Sequence, residues 1–153
     1  MILKRRKILK ILSYSLLFFY LPIKTIYAAT KKIINQNLTN QQKDIMFNQG
    51  TERAFTSSLL NEKREGSYHC ANCGALLFDS TAKYDSGTGW PSFTEAVPGA
   101  FNTKIDYSFG IKRTEYHCAK CGAHHGHVFN DGPSKTGKRF CNNGLCLIFI
   151  PSE

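Results

Sequence analysis

The sequence predicts a mainly antiparallel β domain with one short helix near its start. After Gly50 no sustained 3.6-residue hydrophobic period appears. Instead, short β-prone runs at residues 76–78, 101–105 and 145–150 are separated by Gly, Pro, Asp and Asn, which favour turns. The length of 153 residues, with 42% hydrophobic and 12% aromatic content, suits one compact domain and excludes large barrels and doubly wound two-domain enzymes.

The helix is predicted at about residues 40–49. Thr39 followed three residues later by Gln42 fits a capping box, and two apolar residues in the following turn supply a buried stripe. Gly50 stands where the end of a helix favours a left-handed residue.

The first 28 residues are predicted to be an export signal. A basic stretch at residues 1–10 precedes an apolar run at residues 11–23 and two small residues, Ala28 and Ala29. The run covers about 13 residues, whereas a membrane span needs about 20. We therefore expect a periplasmic or secreted protein. A membrane anchor formed by residues 11–29, or an organelle transit peptide, is the alternative. Residues 29–37 are a predicted linker and residues 38–153 the predicted domain.

The net charge of +9 does not indicate a nucleic-acid partner. Six of the 20 basic residues precede Tyr27. The other 14 basic residues and all 11 acidic residues lie after it. The body is therefore only +3, too small a bias to argue for binding a polyphosphate.

A seven-residue segment, Tyr-His-Cys-Ala-x-Cys-Gly, occurs at residues 68–74 and again at residues 116–122. Each Cys-x-x-Cys turn aims two thiolates at one point, and the Gly permits the backbone that such a turn needs. Two turns supply the four ligands of a closed, structural zinc site: Cys70, Cys73, Cys118 and Cys121. Disulfides or a redox pair are the alternative in an oxidising compartment. Two near-identical turns that each end in Gly favour zinc.

Cys141 and Cys146 remain outside this set. In a strand, alternate side chains share a face, so Arg139, Cys141 and Asn143 are expected to project to the same side. A guanidinium beside a thiol favours the nucleophilic thiolate, and Asn143 adds a neutral donor. Taken alone, this stretch is equally compatible with Cys141 as a small buried hydrophobic residue.

The sequence resembles the methionine-R-sulfoxide reductase family (MsrB) over about residues 38–152. The matching stretches are Gly-Thr-Glu-Arg at 50–53, Asp-Ser-Gly-Thr-Gly-Trp-Pro-Ser-Phe at 85–93, Arg-Thr-Glu at 113–115, Cys-Gly-Ala-His-His-Gly-His-Val-Phe at 121–129, Asp-Gly-Pro at 131–133 and Arg-Phe-Cys-Asn-Asn at 139–143. The resemblance implies two small antiparallel sheets, one zinc ion on the four cysteines, and Cys141 as nucleophile.

The implied reaction is attack of the Cys141 thiolate on the sulfoxide sulfur, which leaves a sulfenic acid. His124 and His127, in what the sequence suggests is a Gly-flanked turn, are the candidates to bind and protonate the sulfoxide oxygen, with Asn143 assisting. Trp90 and Phe129 are the predicted substrate-binding residues, Trp90 through its indole face against the S-methyl group. Asp131 either orients the histidine pair or starts a turn.

The expected partners are methionine-R-sulfoxide in oxidised proteins and a thioredoxin-like reductant, with no nucleic acid and a monomeric chain. Many family members carry a resolving cysteine where this chain has Thr88, so a dithiol is expected to attack the sulfenic acid directly unless Cys146 substitutes.

The chain between Cys141 and Cys146 decides whether these two can pair. One continuous strand over residues 138–150, which the resemblance implies, separates the sulfurs by roughly 16 Å on opposite faces and makes Cys146 a packing residue. The Asn143-Gly144 pair also favours a two-residue hairpin, which would set the cysteines opposite each other. The continuous strand is the favoured prediction.

Two other functions are alternatives to the reductase. A non-catalytic, zinc-ribbon-like binding module needs only the two Cys-x-x-Cys turns, but the small body charge and the lack of a basic or aromatic stripe argue against it. A zinc deaminase would need a His-x-Glu motif and an open metal position, and neither is indicated.

Overall fold

The computed structural model describes residues 31–133 and 135–153, so the predicted export segment lies outside the described residues. The described residues contain one α-helix and nine strands, which confirms the mainly β prediction. They are α1 (Asn40–Asn48), β1 (Gly66–Cys70), β2 (Leu76–Asp79), β3 (Lys83–Tyr84), β4 (Ser92–Phe93), β5 (Phe101–Asp106), β6 (Arg113–Cys118), β7 (His124–Phe129), β8 (Arg139–Asn142) and β9 (Leu147–Pro151). None of the helices in these two ranges is long and apolar enough to cross a membrane.

The strands form two antiparallel sheets. The smaller has the order β2-β1-β9 and the larger the order β3-β4-β8-β7-β6-β5. Both hairpins that carry a Cys-x-x-Cys turn join sequential neighbours, β1 to β2 in one sheet and β6 to β7 in the other.

Helix α1 begins as the sequence predicts. The Thr39 side chain accepts from the N–H of Gln42, and the Gln42 side chain accepts from the N–H of Thr39, so both partners of the capping box are present. The end of the helix differs from the prediction, because Gln49 and not Gly50 is the left-handed residue, with φ 62°. A Cβ at position 50 would lie 2.6 Å from the Asp44 carboxylate, which would have to shift to accommodate a larger residue.

Aromatic rings fill the space between the two sheets. Phe78 from the small sheet stacks on Phe93 from the large one at a centroid distance of 4.0 Å, and Tyr68 meets the same ring edge-on at 4.9 Å. Tyr116 of β6 is also fully buried. Burial of each such side chain stabilises the fold by about 1.5–3 kcal/mol, so these rings hold the small sheet against one face of the large sheet. The opposite face of the large sheet stays available for a site.

The predicted continuous strand over residues 138–150 is wrong, and the hairpin does not form either. β8 ends at Asn142, a single 3₁₀ turn covers Gly144–Cys146, and β9 then joins the small sheet. The buried carboxylate of Glu52 accepts the N–H groups of Gly144 at 2.6 Å and Leu145 at 3.4 Å, which bends the chain between the sheets. Cys146 is fully buried at this crossing, as the packing role requires.

Candidate active site

A bulge in β7 brings the two predicted histidines to one face. His124 pairs with His117 and Gly126 pairs with Tyr116, so β7 contains one extra residue opposite β6 at this point. An extra residue shifts the alternation of side chains by one position. His124 and His127, three residues apart, therefore lie on the same side, with ring centroids 5.6 Å apart. The expectation that they stand in a turn is wrong, because both belong to a strand.

Cys141 faces the same side as His127. The two residues are direct cross-strand partners, and Cys141 is also paired with Ser92 of β4. The row continues from His127 to Glu115 of β6 and from Glu115 to Lys104 of β5. Strand register thus places a thiol, an imidazole, a carboxylate and an ammonium side by side on the face that the core leaves open.

The thiol opens into a cavity of about 130 Å³. Its lining comprises Thr51, Trp90, Arg113, Gly126, His127, Phe129, Cys141, Asn142 and Asn143. Five of the sequence-predicted site residues are therefore brought together here. Two of them stand back from the cavity: His124 is 2% exposed behind the His127 ring, and Arg139 is buried on the flank of Cys141.

Burial raises the pKa of the Cys141 thiol above its ordinary value, although the Arg139 guanidinium and a hydrogen bond from Thr88 act in the opposite direction. The net direction is opposite to the thiolate that the sequence suggested, because the sulfur is more enclosed than a strand face implies. Arg139 is held in place by Asp131, to which its Nε and Nη2 donate at 2.9 and 2.8 Å. Asp131 thus orients this guanidinium and contacts neither predicted histidine.

His127 is held by Asp106, an acidic residue that the sequence analysis did not single out. Hydrogen bonds from Ser108, His127 and Arg113 keep the pKa of Asp106 far below its usual range, so the carboxylate is ionised. It therefore accepts from His127 Nε2 at 2.8 Å, which leaves Nδ1 as the exchangeable nitrogen. Burial lowers the pKa of His127 and the bond to Asp106 opposes this, so the ring is neutral at pH 7.

His124 is held by Glu115 in the same way. Its Nδ1 lies 2.9 Å from Glu115 Oε1, and the second carboxylate oxygen binds Gln49 Nε2 at 2.7 Å and Lys104 Nζ at 3.1 Å. Burial raises the pKa of Glu115, but the hydrogen bonds from His124, Lys104 and Gln49 outweigh it and bring the pKa to about 2. In the sequence, the Arg-Thr-Glu stretch at 113–115 counted only as part of the family resemblance, and no role was predicted for Glu115.

Glu52 positions two residues of the cavity wall at once. Its carbonyl accepts from Trp90 Nε1 at 2.9 Å, and its N–H donates to Asn143 Oδ1 at 2.8 Å. The Asn143 amide nitrogen donates in turn to the carbonyl of His125 at 3.0 Å. Both cavity side chains are therefore fixed by a single residue that is 3% exposed. The Asn143 side chain therefore stabilises the cavity wall, since its oxygen and one of its N–H groups are already hydrogen-bonded.

The four cysteines of the repeated turns meet at one point between the sheets. All four sulfurs lie within 4.8 Å of one another, with Cys70 to Cys121 at 3.8 Å and Cys73 to Cys118 at 3.6 Å. A tetrahedral ion with metal–sulfur distances of about 2.3 Å needs sulfurs about 3.8 Å apart, so this set fits a metal ion. Gly74 and Gly122 have φ of 68° and 70°, as the repeated turn requires.

Comparison with known proteins agrees with this arrangement. The SelR domain family matches residues 38–151. The peptide methionine sulfoxide reductase MsrB of Leptospira interrogans is 50% identical over 115 residues, which cover 74% of this chain and 88% of that protein. The MsrB of Synechococcus sp. strain RCC307 is 54% identical over 73% of this chain and 83% of its own length. That of Escherichia coli K12 is 49% identical over 78% and 88%.

Among solved structures, the Mis18 Yippee-like domain aligns with 59% of this chain and 99% of its own, with a TM-score of 0.49 and 17% identity. The sequence matches place the chain among SelR-domain oxidoreductases. It belongs to the MsrB family and is a peptide methionine sulfoxide reductase. Its substrates are thus oxidised methionines, and it needs a reductant; the non-catalytic binding module is set aside.

Proposed function

We propose that the protein reduces the R epimer of methionine sulfoxide in oxidised proteins, with Cys141 as nucleophile, and so repairs oxidative damage. The proposal is carried by one observation: the Cys141 thiol opens into a cavity whose walls are an indole, an imidazole and a phenyl ring. Apolar walls suit a thioether side chain, and the imidazole suits the polar sulfoxide oxygen.

The first half-reaction is a two-electron transfer. The Cys141 sulfur attacks the sulfoxide sulfur, the sulfur–oxygen bond of the substrate breaks, and the oxygen with one proton passes to Cys141. Methionine and a Cys141 sulfenic acid result, so atoms and electrons balance. Because burial raises the pKa of Cys141, the resting sulfur carries a proton at neutral pH, and attack requires that this proton leave.

His127 is suited to manage that proton. It neighbours Cys141 across the strands, and its Nε2 is occupied by the ionised Asp106. A neutral ring with Nδ1 unprotonated accepts a proton from the thiol and then donates it to the sulfoxide oxygen. His124 supports this ring from behind, where Glu115 fixes it.

Three walls give the site a handedness. The S-methyl group rests on the Trp90 indole, the oxygen faces His127, and the rest of the substrate chain leaves through the mouth beside Phe129. Sulfur–aromatic contact and burial favour this placement of the methyl group. When the methyl group, the oxygen and the rest of the substrate chain occupy these three places, the sulfoxide sulfur is open to attack by Cys141 in one epimer only. Family resemblance assigns that epimer as R.

The second half-reaction uses an external dithiol such as thioredoxin. It attacks the sulfenic acid on Cys141, releases water and leaves as a disulfide after its second thiol reacts. Thr88 has no thiol, and Cys146 is fully buried, which supports direct attack by the reductant. A monomer suffices for this reaction, since every residue that lines the cavity belongs to one chain.

Zinc is the proposed ion of the four-cysteine set. Four sulfur ligands suit zinc, leave no open coordination position and give the metal a structural role. The apolar run at residues 11–23 supports export to the periplasm or the medium, with retention at the membrane as the alternative. N-terminal sequencing of protein recovered from cell fractions tests the location.

The reaction is tested with separate R and S sulfoxide epimers of a methionine peptide and dithiothreitol as reductant. Wild type should reduce the R epimer only. Cys141→Ser should lose activity, while Cys146→Ser, a matched loss of one thiol, should keep it. Reduction of the S epimer, or a Cys141→Ser variant with wild-type turnover, would contradict the proposal.

A further inference from the structure

Three hydroxyl groups form a chain that ends at the sulfur of Cys141. Ser92 Oγ lies 2.7 Å from Ser86 Oγ, and Ser86 Oγ lies 2.8 Å from Thr88 Oγ1. Ser92 is the cross-strand partner of Cys141, which brings this chain to the thiol, and the Thr88 side chain acts to lower the pKa of Cys141. The other end is anchored at the Trp90 carbonyl, 3.1 Å from Ser92 Oγ.

The fold holds this chain in place from both sides. Ser92 is fully buried and is the cross-strand partner of Cys141, so the first hydroxyl is fixed by the register of β4 against β8. Ser86 and Thr88 belong to the loop that leads to Trp90, and the Thr88 N–H points back to Ser86 Oγ at 3.5 Å. Strand and loop thus hold the three hydroxyls in one connected chain beside Cys141.

Each hydroxyl has one proton, so the chain has two consistent directions. A thiolate accepts but cannot donate, and then Thr88 donates to sulfur, Ser86 to Thr88 and Ser92 to Ser86. A protonated thiol donates to Thr88, the order reverses, and Ser92 donates to the Trp90 carbonyl. The protonation state of Cys141 sets the direction of all three hydroxyls, and neither state leaves a hydroxyl proton without an acceptor.

The enclosed sulfur needs such a donor, because enclosure penalises its charged form. Arg139 supplies a full charge from one side, but it is shared with Asp131 through two hydrogen bonds. Thr88 approaches from the loop side and donates without bringing a second charge into the cavity. Hydrogen bonds to an ionised acceptor are about twice as strong as neutral ones.

We propose that Thr88 is a further catalytic residue, whose hydroxyl donates to the Cys141 thiolate as the thiolate forms, and that Ser86 and Ser92 are positioning residues that aim it. This inference rests on the proposed role of Cys141 as nucleophile. It assigns to the Ser86–Thr88 loop a part in the ionisation of Cys141 in addition to carrying Trp90.

The test measures the pH dependence of Cys141 alkylation by iodoacetamide in the full-length, metal-loaded protein, with mass spectrometry assigning the labelled thiol. The charged and titratable groups that face Cys141 stay the same in every variant. They are Tyr84 from β3, Arg113 and Tyr116 from β6, His127 from β7, Asp131 from the preceding loop and Arg139 from β8.

Thr88→Val has nearly the same shape as threonine but no hydroxyl. It should raise the alkylation pKa of Cys141 by about 1 and slow alkylation at pH 7 about tenfold. Thr88→Ser should restore the wild-type profile. Ser86→Ala should give an intermediate profile, since Thr88 keeps its hydroxyl but loses its own donor.

A wild-type profile in both Thr88→Val and Ser86→Ala would overturn the inference, as would a Thr88→Ser profile as slow as that of Thr88→Val. These outcomes differ from failure of the proposed function. In that case wild-type protein would not reduce the R epimer, or Cys141→Ser would, whatever the alkylation profile of the Thr88 variants.

Discussion

Removal of the metal from the four-cysteine set should abolish the folded domain. Two of the sulfurs belong to the β1–β2 hairpin of the small sheet and two to the β6–β7 hairpin of the large sheet. A bound ion is therefore a cross-link between the sheets. Without it, four thiolates within 4.8 Å of one another repel, or four protonated thiols remain without the ion that they would bind.

The magnitude follows from two comparisons. Structural zinc in small domains contributes about 10–16 kcal/mol of apparent binding free energy at pH 7. A domain of this size has a total unfolding free energy of about 5–15 kcal/mol. Loss of the ion thus removes a free energy as large as the total unfolding free energy of the domain, and the metal-free chain should be unfolded at room temperature.

The assay follows near-ultraviolet circular dichroism and metal content during titration with a chelator. Both should fall together. Cys73→Ser should behave like the chelated protein, although Cys73 is only half-buried. Cys146→Ser is the control, because it alters a fully buried thiol outside the set and should keep one ion and a cooperative transition. Metal-free protein that unfolds cooperatively at the wild-type temperature would refute the reasoning.

Four further outcomes are expected. Glu115 has a folded pKa of about 2 against an ordinary 4.5, so its carboxylate stabilises the fold above about pH 4.5 and this contribution is lost as the pH falls toward 2. Glu115→Gln should lower the free energy of unfolding by about 3 kcal/mol at pH 7, and it should reduce the loss of stability between pH 4.5 and 2 in urea melts recorded at a series of pH values. An unchanged loss of stability in that pH range would contradict the low pKa of Glu115. Cys146→Ser should sustain many turnovers with a dithiol, whereas stalling after one would make Cys146 the resolving thiol. Thr88→Cys should form a disulfide with Cys141 after one turnover, measured as loss of two free thiols. Gly126→Ala should lower both soluble yield and activity, because its Cβ would lie 1.9 Å from the Cys141 carbonyl oxygen.

Features set by local sequence were predicted well. The capping box at Thr39 and Gln42 and the grouping of the four cysteines depend on residues within one turn or on an obvious repeat. Such signals need no knowledge of the rest of the chain. The two-sheet arrangement came from family resemblance, since short β-prone runs alone do not say which strands pair.

Features set by tertiary contacts were missed. Asp106 and Glu115 stand on strands whose register no local pattern fixes, so their bonds to His127 and His124 were invisible in the sequence. The break after Asn142 was missed for the same reason, because it depends on Glu52, some 90 residues earlier in the chain. The net pKa direction of Cys141 likewise depends on enclosure by several strands.

The extra residue in β7 limits how this site is transplanted. A designer who copied the two imidazoles, three positions apart, onto a regular strand of another scaffold would obtain one ring on each side of the sheet. The irregular strand must be carried over together with its neighbour β6, since the mismatch between them puts both rings on the face of the sheet that also carries Cys141. In this protein a count of residues, and not only their identity, sets which side of the sheet carries the two imidazoles.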